Sequence, residues 1–296
     1  MASVVPYLQL MRPANIVTAV ADIMAGFAIS GLVSGLFTES NWTMLLMLVI
    51  ATMGLYGGGI VLNDVFDADI DKLERPERPI PSGKVSIRSA VILAAVLYSI
   101  GITMAFGVSS LSGCLAVSIV FFATFYDKYA KHFLIWGPLT MGFCRALNLF
   151  LGISAGGITD PALLYIGLLP LFYIMGITLL SRGEVHGAGR YLLNGAGIVL
   201  GLVVVLLFGL IMYRGFHIWI ALPFLGVFAV AVFFPFRQAL RTGLPADLKK
   251  AVRAGVLSLI LMDAAIGAGF AGPVYGLIIV CLLPVSLILA KTFAVT

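Results

Sequence analysis

The stretch "VLNDVFDADIDKLERPERPIPSG", Val61 to Gly83, places four of the chain's nine aspartates within eight positions, directly after an apolar run. The cluster stands out because the rest of the chain is oily. Of 296 residues, 61% are hydrophobic and 10% are charged, and the mean hydropathy is +1.12. Soluble domains carry about a quarter charged residues. A chain this poor in charge uses lipid as its solvent, and membrane spans take up its length. The apolar runs are continuous over about 20 residues instead of alternating, which excludes a β-barrel. They predict an all-α, polytopic transmembrane helix bundle.

Outward from the acidic stretch, apolar segments fall at 14–36, 43–63, 86–108, 111–126, 134–157, 161–181, 191–213, 216–236, 250–270 and 273–291. Each is near the ~20 residues that cross a bilayer. The reading is ten spans, with nine as the alternative, because only "AGFAGPVYG" (268–276) separates the last two. The opening "MASVVPYLQLMRPANIVTAV" runs into the first span without a small-residue cleavage site and is read as retained. With the N-terminus inside and ten crossings, every Lys and Arg lies inside except Arg214, outside, and Arg145, within a span. That asymmetry sets both termini and the polar loops 64–85, 181–190 and 237–249 on the cytoplasmic side. It accounts for the net charge of +5 without a nucleic-acid partner. Cys114, Cys144 and Cys281 are isolated in apolar segments and offer neither a disulfide framework nor metal spacing. Residues 1–296 read as one membrane domain.

Asn63, Asp67 and Asp71 are spaced i, i+4, i+8, so on a continuous helix they share one face, drifting about 40° per step. Asp64 flanks that face and Asp69 points away. Carboxylates four residues apart repel each other, and a divalent cation removes the conflict. Carboxylate and amide oxygens suit a hard ion such as Mg²⁺, and no thiolate set or histidine pair favours zinc. The bland alternative is a solvated helix end whose acids pair with Lys72, Arg75 and Arg78. Those basic residues either neutralise the acids or bind an anion that the metal brings.

"NDVFDADIDKLERPERPIPSG" resembles the first signature of the UbiA superfamily of intramembrane prenyltransferases, Asn-x3-Asp-x3-Asp followed by an Arg-Pro-x-x-Ser-Gly loop. Asn63, Asp67 and Asp71 match it, then Arg78, Pro79, Ser82 and Gly83. "LMRPAN" (10–15) is similar to the family's first helix. "YDKYAKHFLIWGPLTMGFCRALNLFLG" (126–152), with Tyr126, Lys128, Lys131, Arg145 and Asn148, is similar to its fourth-to-fifth helix region. The segment "RPANIVTAVADIMAGFAISG" resembles the EboC-like branch. The resemblance implies a bundle around a central cavity that opens sideways to lipid, Mg²⁺ as cofactor, and a prenyl diphosphate donor held by the metal and by Lys and Arg side chains. It implies ionisation of the allylic C–O bond and transfer of the isoprenoid to a lipophilic or aromatic acceptor, in a bacterial inner membrane. Asn63, Asp64, Asp67 and Asp71 are then the metal groups, Arg75, Arg78, Lys128 and Lys131 face the diphosphate, and Phe121, Phe122, Phe125 and Tyr126 offer rings to an allylic cation.

The chain departs from the family in one place. The family's second aspartate-rich motif falls on "LLSRGEVHGAGR" (179–190), which has no aspartate. Three readings stay open. Glu184, with His186, holds a metal; Arg182 supplies positive charge to the diphosphate in its place; or turnover is lost, and the protein binds or carries an isoprenoid or pigment precursor. Within the spans, Asn15 and Asp22 share a helix face, and Arg145 and Asn148 form an i, i+3 pair. Intramembrane polar groups of this kind usually face the interior and mark function. Arg145 either reaches the diphosphate or pairs with Asp22, and Asp263 is read as structural. The absence of an Asp-Gly-x2-Ala-Arg signature argues against a third option, a phosphatidyl-transferring enzyme that would also use Mg²⁺ and aspartates.

Overall fold

The computed structural model describes residues 4–35, 38–157, 161–184, 187, 189–213 and 218–293. Among them the regular structure is helical, with no strand. The helices are α1 (Val5–Met11), α2 (Pro13–Ile29), α3 (Glu39–Phe66), α4 (Ala68–Glu74), α5 (Ile87–Val108), α6 (Ser110–Lys128), α7 (Trp136–Ile153), α8 (Leu168–Ser181), α9 (Arg190–Tyr213), α10 (Ile218–Thr242), α11 (Pro245–Ala271), α12 (Pro273–Val280) and α13 (Leu282–Thr292). Each of the ten apolar segments coincides with helix. Eight helical stretches are long and apolar enough to cross a membrane, and α2 is a shorter apolar helix. Eight plus α2 is nine, the lower end of the expected range. The fifth segment is α7, whose apolarity is lowered by Arg145 and Asn148. The chain is an integral membrane protein.

Consecutive long helices pack side by side, and α2 touches α3, α7, α11 and α13, which closes the bundle. The innermost long span is α11, with 72% of its apolar window buried, against 17% for the peripheral α5. Lipid supplies no hydrophobic drive between helices, so small residues that let backbones meet set the packing. At Gly26 of α2 an added Cβ would lie 2.8 Å from Gly152 Cα and Ile153 N of α7. At Gly54 of α3 it would lie 2.5 Å from the Leu97 carbonyl oxygen of α5. The first contact sets Asp22, one turn before Gly26, against the polar residues of α7.

Two segments differ from their expected form. The polar loop at 237–249 is instead a tight turn at Gly243 and Leu244 between α10 and α11. Gly243 has φ +62°, and Asp247 accepts hydrogen bonds from Gln238 (3.0 Å) and Thr242 (2.9 Å), which ties the two helix ends together. Charge beyond the apolar core lengthens these helices instead of ending them. The acidic stretch is also not one continuous helix. It breaks at Asp67 (φ −89°, ψ 0°), which ends α3 and begins α4.

Candidate active site

The break at Asp67 redistributes the acids. Backbone hydrogen bonds still cross it, from Asp67 N to Asn63 O and from Asp71 N to Asp67 O, but the side chains part. Asp64 and Asp71, both buried, converge on one nitrogen: Arg78 Nη1 lies 2.6 Å from Asp71 Oδ2 and 3.3 Å from Asp64 Oδ1. Arg12 Nη2 approaches the same Asp64 oxygen at 2.5 Å. Asp67 pairs instead with Lys131, Nζ to Oδ1 2.5 Å. Asn63 donates to Asp127 Oδ1 at 2.8 Å. Asp69 points outward to Lys72, with 91% of its side chain exposed, as its register predicts. Buried carboxylates of this density persist only when paired, and three cations from three parts of the chain pair them.

The loop after α4 brings Arg78 back over the acids. Its turns are closed by Arg78 N to Arg75 O and Ser82 N to Arg78 O, and Gly83 takes φ +75°. Arg12 sits between α1 and α2 at φ 46°, the only non-glycine with positive φ among the described residues. A side chain there costs about 1 kcal/mol or more, and the ion pair with Asp64 opposes that strain.

Beneath the acids lies a cavity of about 300 Å³, at the small end for ligand pockets. Arg12, Asn15, Asn63, Tyr126, Asp127 and Ser181 line its mouth. Its walls are apolar, with Leu55, Ile119, Ile174 and Val256 among them. Deeper in lie Thr52, Tyr56, Arg145 and Asn148. Arg145 pairs with Asp22 (Nε to Oδ2 2.5 Å) and stacks over Tyr56 at 5.3 Å. Asn148 donates to Ala19 O (2.9 Å) and Asp22 Oδ2 (2.8 Å) and accepts from Thr52 (2.7 Å). Of the two readings of Arg145, the structure therefore shows the Asp22 pair, and Asn148 is occupied with holding it.

Several expected groups stand elsewhere. Lys128 is exposed and lies over the Tyr129 ring at 5.1 Å, away from the cavity, because the last turn of α6 points it outward. Arg182 donates to the carbonyls of Phe133 (2.5 Å) and Lys131 (3.3 Å), so its charge fastens the loop that carries Lys131. Phe121 and Phe125 are 62% and 39% exposed on the outer face of α6, and Phe122 packs on Phe143 at 4.8 Å. Of these four aromatics only Tyr126 lines the cavity. Glu184 is buried, and its Oε1 has no hydrogen-bond partner among the described residues. Burial pushes its carboxyl above the ordinary glutamate range, while the charges of Arg75 and Lys249 pull it back. His186 lies outside the described residues.

Sequence reasoning missed Arg12, Asp127 and Tyr56 as parts of these clusters. Arg12 and Asp127 stand inside the quoted segments "LMRPAN" and "YDKYAKH", so their signal was adjacency to matched positions. Asp263 carried a signal only as a charge within a span.

The chain belongs to the UbiA prenyltransferase family, whose model matches residues 24–254. A digeranylgeranylglyceryl phosphate synthase from Saccharolobus solfataricus is 33% identical over 185 residues, 62% of this chain and 63% of that protein. The match thus spans less than two thirds of the relative. A solved structure concerning digeranylgeranylglyceryl phosphate synthase in membranes aligns with TM-score 0.67 at 22% identity, covering 91% of this chain and 99% of the other. A UbiA homolog from Archaeoglobus fulgidus bound to GPP and Mg²⁺ aligns with TM-score 0.65 at 14% identity, covering 88% and 99%. At these identities the two structures show a shared fold.

Proposed function

We propose that this protein moves an isoprenoid group from an allylic diphosphate to a lipophilic or aromatic acceptor. One observation carries the reading: Asp64 and Asp71 are buried and converge on a single Arg78 nitrogen, and Arg12, the other partner of Asp64, lines the mouth of an apolar cavity in a membrane bundle. Family membership and the Archaeoglobus homolog's GPP and Mg²⁺ support it.

The residues fit Mg²⁺. Among the described residues no three carboxylate, histidine or cysteine groups converge as a complete protein cage. Mg²⁺ needs none, since it takes one or two carboxylates and completes its shell with water and phosphate oxygens. Asp64 and Asp71 meet that requirement, with Asn63 and Asp67 beside them, and Glu184 offers a buried oxygen with no other use. Bound there, the ion neutralises charge developing on the leaving diphosphate. Lys131, Arg78, Arg12 and Arg75 bring cations to the same anion. The apolar wall takes the isoprenoid tail and excludes water, and the Tyr126 ring faces the allylic cation. Residues 1–296 act as one domain, oriented by the Lys and Arg bias with both termini in the cytoplasm of a bacterial inner membrane. The segment 12–31 supports placement near the EboC-like branch, while the curated relative's name points to a synthase of digeranylgeranylglyceryl phosphate.

A second reading, a carrier without turnover, is favoured by the missing aspartates at 179–190. Purified protein given Mg²⁺, a set of radiolabelled allylic diphosphates and lipid extract decides between them. Transfer yields a labelled, alkylated product and free diphosphate, both abolished by Asp67→Asn. Metal-dependent diphosphate binding with no product from any donor leaves the carrier.

A further inference from the structure

The deep end of the cavity holds a second polar centre. Tyr56 lies seven residues before Asn63 on α3, which puts this centre roughly 10 Å from the acids by helix rise. Arg145, 3% exposed, lines the cavity there. Asp22 Oδ2 lies 2.5 Å from its Nε, and its guanidinium carbon lies over the Tyr56 ring, 5.3 Å from the centroid. None of its three guanidinium nitrogens has a hydrogen-bond partner among the described residues, the Nε contact with Asp22 being an ion pair by distance, and all three are buried. Buried donors left unmade are costly and rare, and a guanidinium fork fixed at a cavity wall matches an oxygen acceptor.

Charge decides which kind of oxygen. Asp22 and Asp263, fully or almost fully buried, both act electrostatically on Arg145 and on each other. Asp22 Oδ1 and both Asp263 oxygens otherwise lack partners among the described residues. Two adjacent carboxylates in an apolar interior do not both ionise readily. One proton on the pair makes the cluster with Arg145 neutral, and full ionisation makes it negative. Neither state leaves positive charge for an anion. Asn148 does not change this, since its amide is fully engaged.

We propose that Arg145, steadied by Asp22 and Tyr56, binds the neutral oxygen of a lipophilic head group, a carbonyl, phenol or alcohol, and disfavours anionic head groups at the same place. Calling that molecule the acceptor rests on the transfer reading above; the binding site itself does not.

The test uses the full chain in detergent, with 1-naphthol and 1-naphthoate as probes that differ in charge, measured by equilibrium dialysis against detergent-matched buffer. Arg145→Met alone leaves Asp22 and Asp263 uncompensated and is at risk of misfolding, so the double variant Arg145→Met/Asp22→Asn is the informative one. Wild type is expected to bind naphthol more tightly than naphthoate. The double variant is expected to bind naphthol about tenfold more weakly, the worth of one good hydrogen bond to a charged donor, with Mg²⁺-dependent diphosphate binding at the mouth retained. Equal naphthol affinity in variant and wild type overturns the proposal, as does tighter naphthoate than naphthol in wild type. Loss of diphosphate binding in a variant of unchanged helicity overturns it too, by assigning Arg145 to the donor site. A wild type that binds no diphosphate removes the transfer reading only, and the naphthol comparison still decides Arg145.

Discussion

Arg78 is the residue on which the acidic cluster turns. A single Nη1 spans Asp71 and Asp64, with the guanidinium side chain 13% exposed. Arg78→Met removes that cation and leaves both buried carboxylates short of charge, a change that costs about 3–5 kcal/mol for a broken buried pair. Thermal unfolding in detergent should show a lowered Tm, and Mg²⁺ should raise it by more than it raises wild type. Glu184 gives a pH signature in the metal-free protein. Its carboxyl titrates above the ordinary glutamate value because it is buried, so the folded state holds the proton to higher pH than the unfolded state. Its contribution to stability is full below the ordinary pKa and is lost as pH rises toward the raised one. Glu184→Gln should flatten that part of the Tm-against-pH curve, and an unchanged slope would assign it to other groups. At this scale the sequence was legible where spacing decides. Asn63, Asp67 and Asp71 announced a polar site, and Asp69 announced its outward direction. The pairings were not legible, because Arg12 with Asp64 and Lys131 with Asp67 join residues far apart in the chain, and no local pattern encodes them.

At the scale of elements, the break between α3 and α4 does what a continuous helix does not. It turns Asp67 toward Lys131 and leaves Asp64 and Asp71 to share Arg78. The spacing alone suggested one face, and the backbone at Asp67 divides it. The α2–α7 contact has a comparable effect deeper in, since the Gly26–Gly152 approach sets Asp22 against Arg145. Gly26→Leu forces a side chain into the α7 backbone, and overpacking of this kind costs about 1–3 kcal/mol. The expected result is a lower Tm together with weakened naphthol binding, while a substitution at Gly201, where an added Cβ meets nothing within 4 Å, leaves both unchanged. Helices were legible from their apolar runs, since lipid demands continuous hydrogen-bonded backbone. The turn at Gly243 was not, because composition reads charged residues as loop whether or not the helix continues through them.

For the whole molecule, the bundle closes around α2 and α11 and leaves a cavity with Arg12, Asn63 and Asp127 at its mouth and Arg145 within. The class of fold followed from hydropathy and the site from a single stretch. The depth and shape of the cavity came only from packing, which an apolar helix shares among many possible neighbours. In the proposed reaction Asp64 and Asp71, with Asp67 beside them, hold an allylic diphosphate through Mg²⁺. Equilibrium binding of geranyl diphosphate to the purified protein, with Mg²⁺ and then with excess chelator, decides whether they do. The prediction is saturable binding with Mg²⁺, lost with chelator and lost in Asp71→Asn; equal binding in chelator and in the variant would contradict it.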